Sequence, residues 1–126
     1  MGKIEKNMYV RTKNGIIFKY YPCRNNEYDE ELNIYSEWDD DGRNYDCYTI
    51  ANASKNIIDL IEVGDILLIK DFADEACMIF NDMYYIQNEN QLFNIKRDLE
   101  KNKNMKISKI LTKEQYENNC YKVDDK

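Results

Sequence analysis

The sequence contains no histidine, a single proline (Pro22) and four isolated glycines, and each shortage closes off a class of function. Without histidine, the side chain that most often serves as a general base or a nitrogen metal ligand is missing. Gly2, Gly15, Gly42 and Gly64 stand too far apart to build a phosphate-cradling loop. The longest apolar run, Ile66 to Ile69, is far too short to span a bilayer, so no membrane partner is expected. Residues 1–7 hold no apolar stretch of the kind a secretory signal needs. Cys23, Cys47, Cys77 and Cys120 are separated by 24, 30 and 43 positions, and no pair has metal-ligand or redox spacing. Free, mostly buried thiols in a reducing cytoplasm are expected.

A chain of 126 residues fits one domain with one ordinary core, so a single domain over 1–126 is expected. Lysine, asparagine, isoleucine, tyrosine, aspartate and glutamate are abundant, which points to a low-GC genome and says nothing of fold.

The formal charge of −6 is unevenly spread. Residues 27–41 hold Glu27, Asp29, Glu30, Glu31, Glu37, Asp39, Asp40 and Asp41 and no basic residue. Between Lys96 and Lys113, seven cations (Lys96, Arg97, Lys101, Lys103, Lys106, Lys109 and Lys113) outnumber Asp98 and Glu100. The chain is therefore bipolar along its length. Clustered like charges repel unless solvated or paired, and a solvated hairpin tip is one reading of the acidic run. The other reading rests on the aromatics set among the acids: Tyr28, Tyr35, Trp38, Tyr45 and Tyr48. Rings beside carboxylates suit a protein interface. They could also fill a basic, base-stacking groove, with carboxylates standing for phosphates and rings for bases.

Local signals predict a mainly antiparallel α+β fold. Lys13-Asn14-Gly15 between Met8–Thr12 and Ile16–Tyr21 is a hairpin signal, and Pro22 ends the second strand. A second hairpin is predicted over Leu32–Ala51, turning at Asp41-Gly42 and returning from Tyr45 to about Ile50. Residues 22–51 would then form an acidic hairpin projecting from the core. Ser54 can cap a turn or two over Asn56–Ile61, with Ile57, Ile58, Leu60, Ile61 and Val63 in the core. Val63-Gly64-Asp65 turns into Ile66–Ile69, whose unbroken apolar run predicts a fully buried strand. A third hairpin is expected where Cys77–Phe80 and Met83–Ile86 flank Asn81-Asp82, with Phe72, Phe80, Tyr84 and Tyr85 in the core. Leu92, Phe93, Ile95 and Leu99 suggest a short helix or strand before a lysine-rich loop, and Lys106–Leu111 suggests a strand. Thr112-Lys113-Glu114-Gln115 is a capping box opening a helix to about Asn118 or Asn119, before a last strand over Cys120–Val123. A small twisted sheet curling into a partial barrel would protect the edges.

Three blocks, YVRTKNGII at Tyr9–Ile17, NIIDLIEVGD at Asn56–Asp65 and KISKILTKEQYENNCYKV at Lys106–Val123, occur in an order that resembles small proteins carried by phages and prophages of clostridia. They cover roughly a third of the chain. Pro22–Tyr48, with the acidic arm, lies outside them and would carry this member's own specificity. The resemblance implies a phage accessory gene. Such genes often encode non-catalytic inhibitors of host defence, anti-CRISPR proteins among them.

No catalytic residue is nominated: an acidic run is not a poised dyad, and no cysteine has a nameable activating neighbour. Glu37, Asp39, Asp41 and Gly42 imitate the start of a calcium loop, but Tyr48 stands where its closing glutamate belongs, so neither metal nor cofactor is expected. The leading expectation is a host-protein docking surface made of Glu27, Asp29, Glu30, Glu31, Tyr35, Glu37, Trp38, Asp39, Asp40, Asp41 and Tyr45. The alternative is weak nucleic-acid binding through Lys96, Arg97, Lys101, Lys103, Lys106 and Lys109, with Phe93 and Tyr116 as stacking partners. An assembly module and an enzyme are the remaining classes.

Overall fold

The computed structural model describes residues 4–73 and 78–119. The architecture is α+β with antiparallel strands in two sheets and two α-helices, and the chain divides into two compact units, Met1–Leu60 and Ile61–Lys126.

The first unit is a five-stranded sheet ordered β2-β1-β5-β4-β3. Its strands are β1 Tyr9–Thr12, β2 Ile17–Lys19, β3 Asn26–Asp29, β4 Ile34–Trp38 and β5 Tyr45–Ser54. The first hairpin closes at Gly15, whose φ of 88° is open to glycine at little cost, and Ile16 N–H donates to the Thr12 hydroxyl. β5 is longer than expected because it pairs with β4 over one half and β1 over the other. A bulge between Arg11 and Thr12 marks the change of partner, and such irregularities bend a strand. Phe18 of β2 packs on Tyr35 of β4, with ring centroids 4.7 Å apart although two strands separate them in the sheet. Ile4, Val10, Tyr35 and Ile50 form the core, with Tyr20, Tyr28 and Tyr48 against it.

The register sorts the aromatics of the acidic segment. Tyr28, Tyr35 and Tyr48 lie in one cross-strand row on the core face. Trp38 and Tyr45 pair on the opposite face. Tyr35, expected in the docking surface, is only 5% exposed and belongs to the core. The acidic segment also contains a strand not anticipated, β3, so it extends the sheet as three strands.

After β5, Asn56 N–H donates to the Ser54 hydroxyl, and a 3-10 helix follows at Ile57–Leu60. Leu60 is buried and Ile57 and Ile58 half-buried. Arg11 is also buried, and its guanidinium donates to the Leu60 carbonyl at 2.9 Å.

The second unit is a sheet ordered β7-β6-β8, with β6 Ile66–Ala73, β7 Met78–Tyr85 and β8 Met105–Leu111. Helices α1 Glu89–Lys101 and α2 Lys113–Asn119 complete it. Three corrections arise here. β6 is central, but only Leu67 and Ile69 are fully buried while Ile66 and Leu68 are partly exposed, so its apolar run does not mean burial on both faces. Asn81-Asp82 is not a turn: β7 runs straight through it, paired with Lys70 and Ile69, because an exposed edge strand tolerates polar residues. Tyr85, expected in the core, is 53% exposed, and Tyr84 is half-buried.

The Leu92–Leu99 pattern belongs to a 13-residue helix capped by the Asn88 side chain, which accepts from Gln91 N–H. Ile95 and Leu99 fall on its buried side at i, i+4 spacing, and Phe93 faces out. In β8, Leu68 pairs with Lys109 and Ile69 with Ile107, leaving Ser108 as a bulge that re-phases the apolar residues. Thr112 caps α2 as expected, its hydroxyl accepting from Gln115 N–H at 3.3 Å. Asp65 was not singled out by the sequence. It is buried in the Gly64 turn and accepts from Glu62 N–H and Lys113 N–H, which ties that turn to the first turn of α2. Cys77 and the last expected strand, Cys120–Val123, lie outside the described residues. Among the described residues, no helix is long and apolar enough to cross a membrane.

Candidate docking face

The β3–β4–β5 half of the first sheet shows two different surfaces. Strand alternation places Glu27 and Asp29 of β3, Ile34, Ser36 and Trp38 of β4, and Tyr45, Cys47 and Thr49 of β5 on the outer face. A groove of about 250 Å³ runs over this face, floored by Ile34, Ser36 and Cys47 and bounded by Leu32, Tyr45, Glu27 and Asp29. Ser36 Oγ and Cys47 Sγ are 3.4 Å apart in its floor. At one end, Trp38 stacks on Tyr45 with centroids 5.9 Å apart and planes 14° from parallel. Leu32 and Tyr45 are 66% and 62% exposed, which is unusual for large apolar side chains so close together.

The two acidic turns are built structures. In the β3–β4 turn, the Asp29 carboxylate accepts from Glu31 and Leu32 N–H, an Asx-type closure. Asn33 follows at a φ of 55°, and its side chain links the Tyr28 hydroxyl to the Ile50 carbonyl. In the β4–β5 turn, Asp39 accepts from both the backbone and side-chain N–H groups of Asn44, and Asp41 from Arg43 N–H. Gly42 sits at a φ of 71° with open space around its Cα. Donation from Asn44 N–H holds the Asp39 carboxyl below its ordinary value. Asp40 takes a hydrogen bond from Asn25 at 2.6 Å and an ion pair from Arg24 at 3.6 Å.

The expected site residues thus divide by role. Asp29, Asp39 and Asp41 turn their carboxylates to local N–H groups and shape the turns. Asp40 is paired across the tip. Glu27, Glu30 and Glu31 are exposed, and among the described residues no hydrogen bond or ion pair occupies their carboxylates. Glu37 points to the core-facing side at its open end, directly across from Asp46 in the register. Like charges in that arrangement destabilise a sheet. The Tyr35 hydroxyl, 3.2 Å from Glu37 Oε2, offsets part of this. Burial first, then the Glu37 charge, pushes the Tyr35 phenol up to about 12. Tyr48 is raised by burial and then by Asp46 and Glu37, and Tyr28 by burial and then by Glu30 and Asp29.

Leu32, Ile34 and Cys47 belong to the face but were not in the expected site. Only the strand register shows which side they take. Cys23 and Cys47 are free but exposed, against the expectation of buried thiols, because both sit on or beside an uncovered sheet surface. Among the described residues, no group of three or more Cys, Asp or Glu is placed to hold a metal. The basic stretch is dispersed: Lys96, Arg97 and Lys101 on α1, Lys103 in the following turn, and Lys106 and Lys109 on β8. Phe93 and Tyr116 are 66% and 49% exposed, and the Arg97 guanidinium lies over the Phe93 ring. No known protein family, curated protein or solved structure matches the chain.

Proposed function

We propose that this chain is a non-enzymatic binding protein whose outer β3–β4–β5 face docks on a basic surface of another protein. One observation carries the reading: the register turns the Trp38–Tyr45 stack and Glu27 to the same side of the sheet, where Leu32 and Asp29 border the same groove. Stacked aromatics within a ring of charge supply the desolvated anchor and the steering rim of an interface.

Kinship with phage accessory proteins, drawn from the three sequence blocks, directs the search to host defence. A nucleic-acid-processing effector presents the basic, ring-accepting groove that such a face would imitate. The test is capture from a clostridial host lysate in a reducing buffer. A tagged wild-type chain should retain a basic nucleic-acid-binding protein, and Glu27→Lys/Glu30→Lys/Glu31→Lys should lose it while folding normally. Equal capture by the triple variant would refute the reading.

A further inference from the structure

The sheet of the second unit carries its own uncovered face. Leu67 and Ile69 are buried on one side of β6, so alternation puts Ile66, Leu68 and Lys70 on the other. The register completes three rows on that side. Tyr85 and Leu111 flank Ile66, Met83 and Lys109 flank Leu68, and Asn81 and Lys106 flank Lys70. Met83, Tyr85 and Leu111 are 73%, 53% and 40% exposed. Asp71 and Asp82 take the alternate positions, so no carboxylate joins these rows. Lys70 stands directly opposite Lys106, a repulsive cross-strand pair. None of the ion pairs among the described residues involves Lys70, Lys106 or Lys109.

We infer that this face binds single-stranded nucleic acid. An exposed ring and apolar side chains on an antiparallel sheet form the stacking platform that unpaired bases use. The lysines beside it need anions, and successive phosphates of one strand meet Lys109, Lys70 and Lys106 while the bases lie toward Tyr85 and Met83. A duplex hides its base faces and gains only the phosphate contacts. The site shares no residue with the acidic face of the first unit and stands or falls separately from it.

The test is fluorescence anisotropy of labelled oligo-dT and oligo-U with the full chain. Three phosphate contacts on a single strand predict an affinity loss of about twentyfold between roughly 50 and 200 mM salt. Lys70→Gln/Lys106→Gln should cut that salt dependence to about a third. Tyr85→Ala should weaken binding about tenfold or more, while Tyr85→Phe, which keeps a stacking ring, should bind like wild type. All three positions are partly or fully exposed, and circular dichroism should show the variants folded. No anisotropy change at low salt, no effect of Tyr85→Ala, or equal competition by polyglutamate (the mark of a general acid-binding surface) would each overturn the assignment.

Discussion

The indole of Trp38 lies nearly parallel to the ring of Tyr45 across the two strands that lead into and out of the acidic turn. The pair is on the opposite side of the sheet from Tyr35, although Tyr35 is only three residues away. Neighbouring aromatics of one strand therefore face opposite sides of the sheet. Trp38→Ala should leave thermal stability nearly unchanged and weaken partner capture by about 2 kcal/mol or more, the scale of an aromatic anchor. Tyr35→Ala should cost about 3–5 kcal/mol of folding stability in denaturant titration, because it empties the contact between Phe18, Tyr20 and Tyr48.

Tyr35 also predicts an alkaline transition. Its phenol ionises near 12 in the folded chain against 10.0 when unfolded, so the neutral form is favoured by folding. This contribution is complete below pH 10 and is lost as pH rises from 10 toward 12. The loss should be on the order of 2 kcal/mol. In Tyr35→Phe the fall in stability over this window should be smaller, as read by denaturation at a series of alkaline pH values.

Asp39 predicts the opposite sign at low pH. Its folded carboxyl sits below the ordinary value of 3.8, so its stabilising share is present above that value and disappears as acid protonates it. Asp39→Asn should lower the melting temperature near neutrality and flatten the acid side of the stability profile. Asp40→Asn does not remove a turn-closing acceptor and should leave that profile closer to wild type.

Two buried charged residues set the stability of the units. Arg11→Met should destabilise the first unit by about 1–3 kcal/mol, since the Leu60 carbonyl loses its donor. Asp65→Ala should cost about 2–4 kcal/mol in the second, where two backbone N–H groups lose their acceptor. Thermal denaturation followed by circular dichroism reads both.

Features legible in the sequence were local. Asn14-Gly15, Asp41-Gly42, Val63-Gly64-Asp65 and Thr112–Gln115 each carry their own backbone chemistry, and each forms the turn or cap expected. Where the signal depended on distant partners, it failed. β3 has one apolar residue, Tyr28, and becomes a strand only because β4 is beside it. Phe93 obscured the helical spacing of Leu92, Ile95 and Leu99. Asn81-Asp82 has turn composition, but its neighbour β6 holds it extended. Burial of Arg11 and Asp65 depends on acceptors and donors that no local pattern announces. The candidate site was legible as a segment and not as a surface, because charge density needs no register and the sorting of Tyr35 from Trp38 does.

Trp38 is the sole tryptophan, so its emission reports the outer face alone. Titrating the captured partner into the full chain should shift that emission saturably, with the shift weakened by salt and absent in Glu27→Lys/Glu30→Lys/Glu31→Lys. A partner that binds with full affinity while Trp38 emission stays unchanged would contradict the assignment of this face.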